Sequence, residues 1–116
     1  MHELSIAMEL IDVASEELIR LGGAHVTAVR LRVGPLSGVV KEALRFSFDA
    51  AVTGTPLEGA RLHIEDVPVS VWCATCDSER ELVDVTRRRC PACHSVTPRL
   101  MHGDELELAG LEIQDA

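Results

Sequence analysis

Aromatic residues are scarce in this chain. It has no tyrosine, one tryptophan and two phenylalanines among 116 residues, whereas 47% of its residues are hydrophobic. That share excludes a disordered chain, so we expect a core of leucine, valine, isoleucine and alanine. The chain also lacks an apolar run near the roughly eighteen residues that cross a bilayer, and a basic and apolar leader segment. These absences predict a cytoplasmic protein with no membrane partner.

Positive charge is in short supply as well. The chain has 11 lysines and arginines against 19 aspartates and glutamates, which gives a net charge of −8 at pH 7. Proteins that bind a phosphate backbone draw their affinity from clustered basic residues, so we expect no nucleic-acid partner. The sequence also lacks a Ser/His/Asp order and a phosphate-binding GxxxxGK[ST] loop, so an enzyme is not expected.

The chain alternates between helical and strand periodicity. The predicted elements are, in order, helix 4–21, strand 29–33, helix 41–52, strand 61–71 and strand 105–113. The apolar stripe of the first helix includes Leu4, Met8 and Leu18, and a phase break near Asp66 indicates a bulge in the second strand. This order predicts an α+β fold, with two helices on a three-stranded mixed sheet.

Four cysteines lie between the second and third predicted strands. They form two CxxC pairs, Cys73 with Cys76 and Cys90 with Cys93, and thirteen residues separate the pairs. Two residues between thiolates let one tight turn present both sulfurs to a single ion, and two such turns complete a tetrahedron. Sulfur then fills every coordination position, so we expect a structural zinc ion. A reducing compartment favours metal binding over disulfides.

The cysteine segment predicts a division of the chain into two domains. Residues 72–100 contain too few large apolar side chains to offset their own ordering entropy without metal. We therefore expect them to form an inserted four-cysteine zinc-ribbon domain. We expect residues 1–71 and 101–116 to form the nickel-binding α+β domain into which it is inserted.

Three other chemistries also use CxxC pairs. Cys90, Cys93 and His94 spell the CxxCH of haem attachment, but that chemistry requires export and a further haem ligand. A thioredoxin-type redox pair has no second CxxC nearby, whereas this chain does. Rubredoxin-like iron uses the same two turns, and the shortage of aromatic residues argues against it only weakly. The colour of the purified protein distinguishes iron from zinc.

The first three residues, Met1-His2-Glu3, are a second candidate metal site. The α-amine of Met1 and the amide and imidazole of His2 can surround one ion in a plane, which suits Ni(II) or Cu(II). The Glu3 carboxylate can add an oxygen ligand or a supporting hydrogen bond. Taken alone, three such residues more often describe an exposed terminus that binds nothing.

Five stretches together carry a resemblance to a known family: Met1-His2-Glu3-Leu4-Ser5, Gly34-Pro35-Leu36-Ser37, Phe46-Ser47-Phe48, Cys73-x-x-Cys76 and Cys90-Pro-x-Cys93-His94. In this order and spacing, over essentially the whole chain, they resemble the HypA/HybF family of hydrogenase-maturation nickel chaperones. The resemblance implies a metallochaperone that delivers Ni(II) to the precursor of the [NiFe]-hydrogenase large subunit. It implies a HypB-type GTPase as a partner and, in some organisms, urease maturation proteins.

The resemblance also assigns metal ligands. Nickel is assigned to Met1, His2 and Glu3, and zinc to Cys73, Cys76, Cys90 and Cys93. Some members carry an aspartate in the loop before the second helix, where this chain reads Gly38-Val39-Val40-Lys41. A nickel ligand from that loop is therefore not expected. The protein would be a monomer or a homodimer, and the alternative function is a zinc-ribbon adaptor with no nickel role.

Overall fold

The computed structural model describes residues 2–97 and 99–114, which group into two compact units. The helical unit comprises the described residues of Met1–Arg32, Gly38–Glu65 and Glu107–Ala116. The cysteine unit comprises Val33–Ser37 and Asp66–Leu106. The domain boundaries expected from the sequence, with a ribbon confined to residues 72–100, stay a prediction.

Two α-helices belong to the helical unit. α1 runs over Glu3–Arg20 and α2 over Lys41–Ala51, and the two contact each other. α1 ends before Gly22 and Gly23, whose positive φ angles are costly for any residue with a side chain. The Gly23 N–H donates to the Leu18 carbonyl and closes the last turn. Both predicted helices are confirmed. Within the described residues, no helix is long and apolar enough to cross a membrane.

The buried face of α1 differs from the predicted stripe. Its buried residues are Ala7, Leu10, Ile11, Ala14 and Leu18. Leu4 and Met8, which the pattern placed on the buried stripe, are 52% and 54% exposed. The two alanines are fully covered, and small side chains let a neighbouring element approach closely. The buried stripe is therefore centred on the alanines, and Leu4 and Met8 lie at its margin.

In the described part of the chain, six strands form two three-stranded sheets. The strands are β1 His25–Val33, β2 Arg61–Asp66, β3 Ser70–Cys73, β4 Ser78–Glu81, β5 Leu100–His102 and β6 Leu106–Gln114. The first sheet is mixed, with the order β2-β1-β6, and the second has the order β4-β3-β5. The α+β fold with two helices and a mixed three-stranded sheet is confirmed. The second sheet was not expected.

The predicted strand over residues 61–71 is two strands that belong to different sheets. β2 ends at Asp66 and β3 begins at Ser70, with Pro68 between them. A proline has no N–H to donate to a sheet ladder, so it interrupts a strand. The Val67 N–H donates to the Val33 carbonyl at 2.9 Å. The phase break that indicated a bulge therefore marks the end of one strand.

The cysteine unit is built around β3. This strand pairs antiparallel with both β4 and β5, and Val71 lies opposite Arg80 on one side and Leu100 on the other. A small core packs Val69, Val71 and Leu82 together, with Leu100 against them. So few apolar side chains give the unit little stability of their own. The strands that flank the cysteine segment, β3 and β5, pair with each other.

Two glycines bring distant parts of the cysteine unit into contact. A Cβ atom on Gly34 would lie 2.1 Å from the Gly103 carbonyl oxygen, so no side chain fits there. The Gly34 N–H donates to the Glu105 carbonyl at 2.8 Å, and the Leu36 N–H donates to the Gly103 carbonyl at 2.7 Å. These bonds fix the short 3₁₀ helix Pro35–Ser37 within the unit. The Gly-Pro-Leu-Ser motif thus has a structural role.

Candidate metal centres

Two similar turns present the four cysteine sulfurs. The first turn leaves β3 at Cys73, and the Cys76 N–H points at the Cys73 sulfur from 3.4 Å. Asp77 follows with a φ of 52°, which turns the chain into β4. A positive φ is uncommon for a residue other than glycine, and aspartate is among the more tolerant types.

The second turn repeats this geometry. The His94 N–H donates to the Cys90 carbonyl at 2.8 Å, and the Cys90 N–H donates to the Ser95 carbonyl at 2.9 Å. His94 has a φ of 65°, so a positive φ again follows the second cysteine of the pair. The His94 side chain is exposed and does not belong to the group of candidate ligands.

The four sulfurs form one metal-binding cluster. The sulfurs of Cys73, Cys76, Cys90 and Cys93 all lie within 4.8 Å of one another, and none is in a disulfide. The distance from Cys73 to Cys93 is 3.5 Å and that from Cys76 to Cys90 is 3.8 Å. A tetrahedral ion with sulfur at about 2.3 Å requires sulfur–sulfur edges of about 3.8 Å. The cluster therefore has the dimensions of a four-thiolate site.

The four sulfurs do not ionise with equal ease. Hydrogen bonds from the side chain and backbone of Ser95 lower the pKa of Cys93 to about 6. Arg80 lowers the pKa of Cys76, but hydrogen bonds with the other three cysteines outweigh it and raise that pKa to about 11. Like charges in one site oppose the ionisation of the last member. A divalent cation removes this opposition, so the donor set fits a metal ion.

Two residues beside the cluster, Arg80 and Ser95, were not predicted from the sequence. Arg80 lies in β4, which has only four residues, all polar, and therefore shows no apolar periodicity. Ser95 lies 3.2 Å from the Cys93 sulfur through its hydroxyl. A serine two residues after the last cysteine of a CxxC pair carries no recognisable signal by itself.

The N-terminal candidate site is described only in part. Met1 lies outside the described residues. His2 is exposed and precedes α1 in an extended conformation, and its carbonyl accepts the first helical hydrogen bond, from the Ile6 N–H. Glu3 begins α1, and its carboxylate accepts a hydrogen bond from the Val40 N–H at 3.4 Å. Within residues 2–97 and 99–114, no third side-chain ligand joins His2 and Glu3.

The remaining histidines have ordinary surroundings. His102 lies 2.8 Å from the Glu105 carboxylate, and His63 lies 3.8 Å from that of Glu112. Neither pair gathers a third candidate ligand within the described part of the chain. The structure thus brings together the four predicted zinc ligands. Of the predicted nickel ligands it describes His2 and Glu3, which are consecutive at the start of α1.

Comparison with known proteins identifies the family. A family model described as "Hydrogenase/urease nickel incorporation, metallochaperone, hypA" matches residues 1–113. The hydrogenase maturation factor HypA of Roseiflexus sp. is 54% identical over 99% of this chain and 94% of its own length. The hydrogenase maturation factor HybF of Salmonella typhimurium is 37% identical over 98% of this chain and its own full length.

Solved structures agree with this comparison. The solution structure of the Ni metallochaperone HypA from Helicobacter pylori covers the whole chain, with a TM-score of 0.67 and 26% identity. A second HypA solution structure covers 98% of this chain and 97% of its own, with a TM-score of 0.73 and 24% identity. The second match supports the fold alone.

Proposed function

The chain belongs to the HypA family, and we propose that it binds Ni(II) at its N-terminus and delivers it during [NiFe]-hydrogenase maturation, with zinc in its cysteine cluster. The observation that carries this proposal is the match of the nickel-incorporation family over residues 1–113, which include both candidate metal centres. The resemblance noted in the sequence is thereby confirmed. A member of this family is a maturation factor and not an enzyme.

Zinc is the ion we propose for the cysteine cluster. Thiolate ligands select soft or borderline metals, and a closed tetrahedron of four sulfurs is typical of structural zinc. The sulfur–sulfur distances of 3.5 and 3.8 Å support this choice. Bound zinc would cross-link the two cysteine turns and so stabilise the cysteine unit, whose hydrophobic core is small. Cys73 and Cys90 are fully buried, so the ion would be held away from solvent on that side.

Nickel is proposed to bind the α-amine of Met1 and the amide and imidazole of His2, beside Glu3. The start of α1 supports this, because the first N–H groups of a helix have no intrahelical acceptor. The first helical bond is donated by Ile6, so a metal that displaces an amide proton at His2 breaks no helical bond. Planar nitrogen ligation favours nickel and copper over zinc. Acid competes with nickel for the imidazole, which provides one route of release.

The proposed partners follow from the family. They are a HypB-type GTPase, the precursor of the hydrogenase large subunit and, where the host makes urease, urease maturation proteins. A terminal site fits this role because its ligands are adjacent in sequence, so a partner that binds the terminus reaches all of them together. We place this exchange in the cytoplasm.

Nickel titration of untagged protein tests the N-terminal site. We expect His2→Ala to weaken nickel binding by at least about 100-fold, because it removes the imidazole that closes the chelate. The matched control is His25→Ala, which removes an exposed histidine at the start of β1. Isothermal titration gives the affinities, and elemental analysis gives the zinc content of the same samples.

The same experiment separates the proposal from its alternative. An N-terminal tag removes the free amine, so tagged protein should bind nickel as weakly as His2→Ala does. Normal nickel binding by tagged protein or by His2→Ala would contradict the nickel site and favour a zinc-ribbon adaptor. Zinc-free cysteines in freshly purified protein would contradict the zinc assignment.

A further inference from the structure

Two buried polar atoms in β4 have no hydrogen-bond partner. Within the described residues, the buried side-chain nitrogen and oxygen atoms without a partner are the Ser78 hydroxyl oxygen and the Arg80 Nε. Buried polar atoms in native proteins are nearly always paired, so an unpaired one requires an explanation. These two are only two residues apart on the same strand, which indicates a single cause.

The register of the second sheet shows what these atoms face. Ser78 lies directly opposite Cys73, and Arg80 lies directly opposite Val71. Residues opposite each other on antiparallel strands project to the same face of the sheet. Ser78 and Arg80 therefore share the face of β3 that carries Cys73, a fully buried cluster ligand.

Contacts of the arginine reach the sulfurs themselves. The pKa of Arg80 is raised by its interaction with the Cys76 thiol first, and then by the charges of Cys76 and Cys90, which is consistent with a guanidinium beside these sulfurs. The same interaction opposes the rise in the pKa of Cys76 that the other three cysteines cause. A guanidinium is always charged and presents several donors in a fixed plane, so it can serve more than one sulfur.

The charge of the loaded cluster provides the physical reason for such a contact. Four thiolates around one divalent cation leave a net charge of about −2. The chain already carries a net charge of −8, and part of the cluster is buried, where an uncompensated charge is costly. A cation beside the sulfurs offsets this cost, and hydrogen bonds to the ligands hold them in position.

We propose that Arg80, with Ser78 beside it, supplies the counter-charge and hydrogen-bond donors that hold the cysteine cluster in its metal-loaded thiolate form, and that Arg80 thereby slows metal loss. The inference rests on the zinc assignment proposed above. Arg80 is a positioning residue, because it acts through Cys76 and Cys90. A sulfur that accepts a hydrogen bond from a guanidinium is less nucleophilic towards protons and alkylating agents. Cys76, which is only half-buried, gains most from this protection.

Zinc transfer from the full-length, zinc-loaded protein to a coloured chelator tests the proposal. We expect Arg80→Gln to transfer zinc roughly 10- to 100-fold faster than the parent, as when a partner of a metal ligand is removed. Arg80→Lys keeps the positive charge and should stay within a few-fold of the parent. The matched control is Arg99→Gln, an exposed arginine of the same unit, which should transfer zinc at the parent rate.

A second measurement distinguishes electrostatic protection from packing. Iodoacetamide should alkylate Cys76 faster in Arg80→Gln than in the parent, with the modified residue located by mass spectrometry. Circular dichroism of the zinc-loaded variants should match the parent. Parent-like zinc transfer in Arg80→Gln would overturn the inference. Equal acceleration in Arg80→Lys and Arg80→Gln, accompanied by loss of structure, would also overturn it, because packing alone would then explain the effect.

The zinc content of the parent separates this inference from the proposed function. A parent protein that purifies without zinc contradicts both. A parent that holds one zinc ion, and whose Arg80→Gln variant transfers it at the parent rate, contradicts only the role of Arg80.

Discussion

The cysteine cluster and the N-terminal site supply their ligands in opposite ways. The cluster gathers four sulfurs from two turns that are thirteen residues apart, and two of the four cysteines are fully buried. The proposed nickel ligands are consecutive at one end of the chain, and His2 is exposed. Ligands from separate turns come together only when the unit is folded, so losing the ion and unfolding are linked. Ligands at a terminus can be withdrawn while the fold persists.

The largest expected effect is that of removing one cysteine sulfur, which should affect the cysteine unit and not the helical unit. We expect Cys90→Ala to lose zinc and to unfold the cysteine unit, because its small apolar core cannot replace the metal. The helical unit, which has its own buried residues on two helices and a sheet, should stay folded. Hydrogen exchange followed by mass spectrometry locates the loss, and Val83→Ala, at a position that is 99% exposed, is the matched control.

Equal loss of protection in both units of Cys90→Ala would show that the metal supports the whole chain. The N-terminal site would then also depend on the zinc-stabilised fold. The two sites would no longer differ in whether loss of zinc abolishes metal binding.

Substitution of Glu105, a carboxylate within the cysteine unit, should have an intermediate effect on the free energy of unfolding. This effect should depend on pH. The Glu105 carboxylate accepts the Gly103 N–H at 2.6 Å and lies 2.8 Å from the His102 ring. Burial raises the pKa of Glu105, but the Gly103 N–H and His102 outweigh it, so that pKa is lowered. A carboxyl whose pKa is lower in the folded state stabilises the fold above its unfolded pKa, and this contribution is lost as the pH falls through the folded pKa.

We therefore expect Glu105→Gln to lower the free energy of unfolding by about 1 kcal/mol near neutral pH. The difference from the parent should shrink as the pH falls below about 4.3, the ordinary pKa of a glutamate. Urea unfolding at a series of pH values measures this difference in the free energy of unfolding. The control is Glu58→Gln, an exposed carboxylate of the helical unit, whose difference from the parent should stay near zero throughout. A Glu105→Gln difference that is constant with pH would contradict this account.

The smallest expected effect concerns the role of Glu3 at the N-terminus. Its carboxylate accepts the Val40 N–H at 3.4 Å, which favours positioning of the terminus over direct nickel ligation. Val40 has a φ of −88°, about 20° from the value that proline imposes, so Val40→Pro removes the donor and requires only a small backbone adjustment. We expect Glu3→Ala and Val40→Pro to weaken nickel binding by the same few-fold factor, in line with one exposed hydrogen bond.

Isothermal titration with nickel compares the two variants with the parent. Weaker binding in Glu3→Ala alone, with parent affinity in Val40→Pro, would identify the carboxylate as a nickel ligand. The N-terminal site would then have an oxygen donor, and its contrast with the all-sulfur cluster would become sharper.

The sequence predicted those features that depend on local spacing. The CxxC pairs predicted the cluster because two intervening residues already define the turn that presents both sulfurs. The periodicity of residues 4–21 predicted a helix, but not that Leu4 and Met8 lie outside its buried face, since that depends on which element packs against it. Helix existence is a local property, and helix orientation is not.

Other features depend on the register of paired strands and could not be predicted from the sequence. Arg80 stands beside the sulfurs because β4 pairs with β3 in one particular alignment, and four consecutive polar residues give no sign of that alignment. The second sheet was missed because β3 and β5 are only four and three residues long. The change of phase near Asp66 lay at the end of β2, and Pro68, two residues later, indicated that the strand stops there rather than bulges.

The segment Val33–Ser37 limits how the cysteine unit can be separated from the rest of the protein. Its glycine contact and its backbone bonds to residues 67, 103 and 105 tie it to a unit whose other residues begin only at Asp66. A recombinant fragment of residues 66–106 would leave those backbone partners without Val33, Gly34 and Leu36. The cysteine unit is therefore not a contiguous segment that can be produced alone. A separate version would have to include the short Gly-Pro-Leu-Ser segment, joined to residues 66–106 by a designed linker.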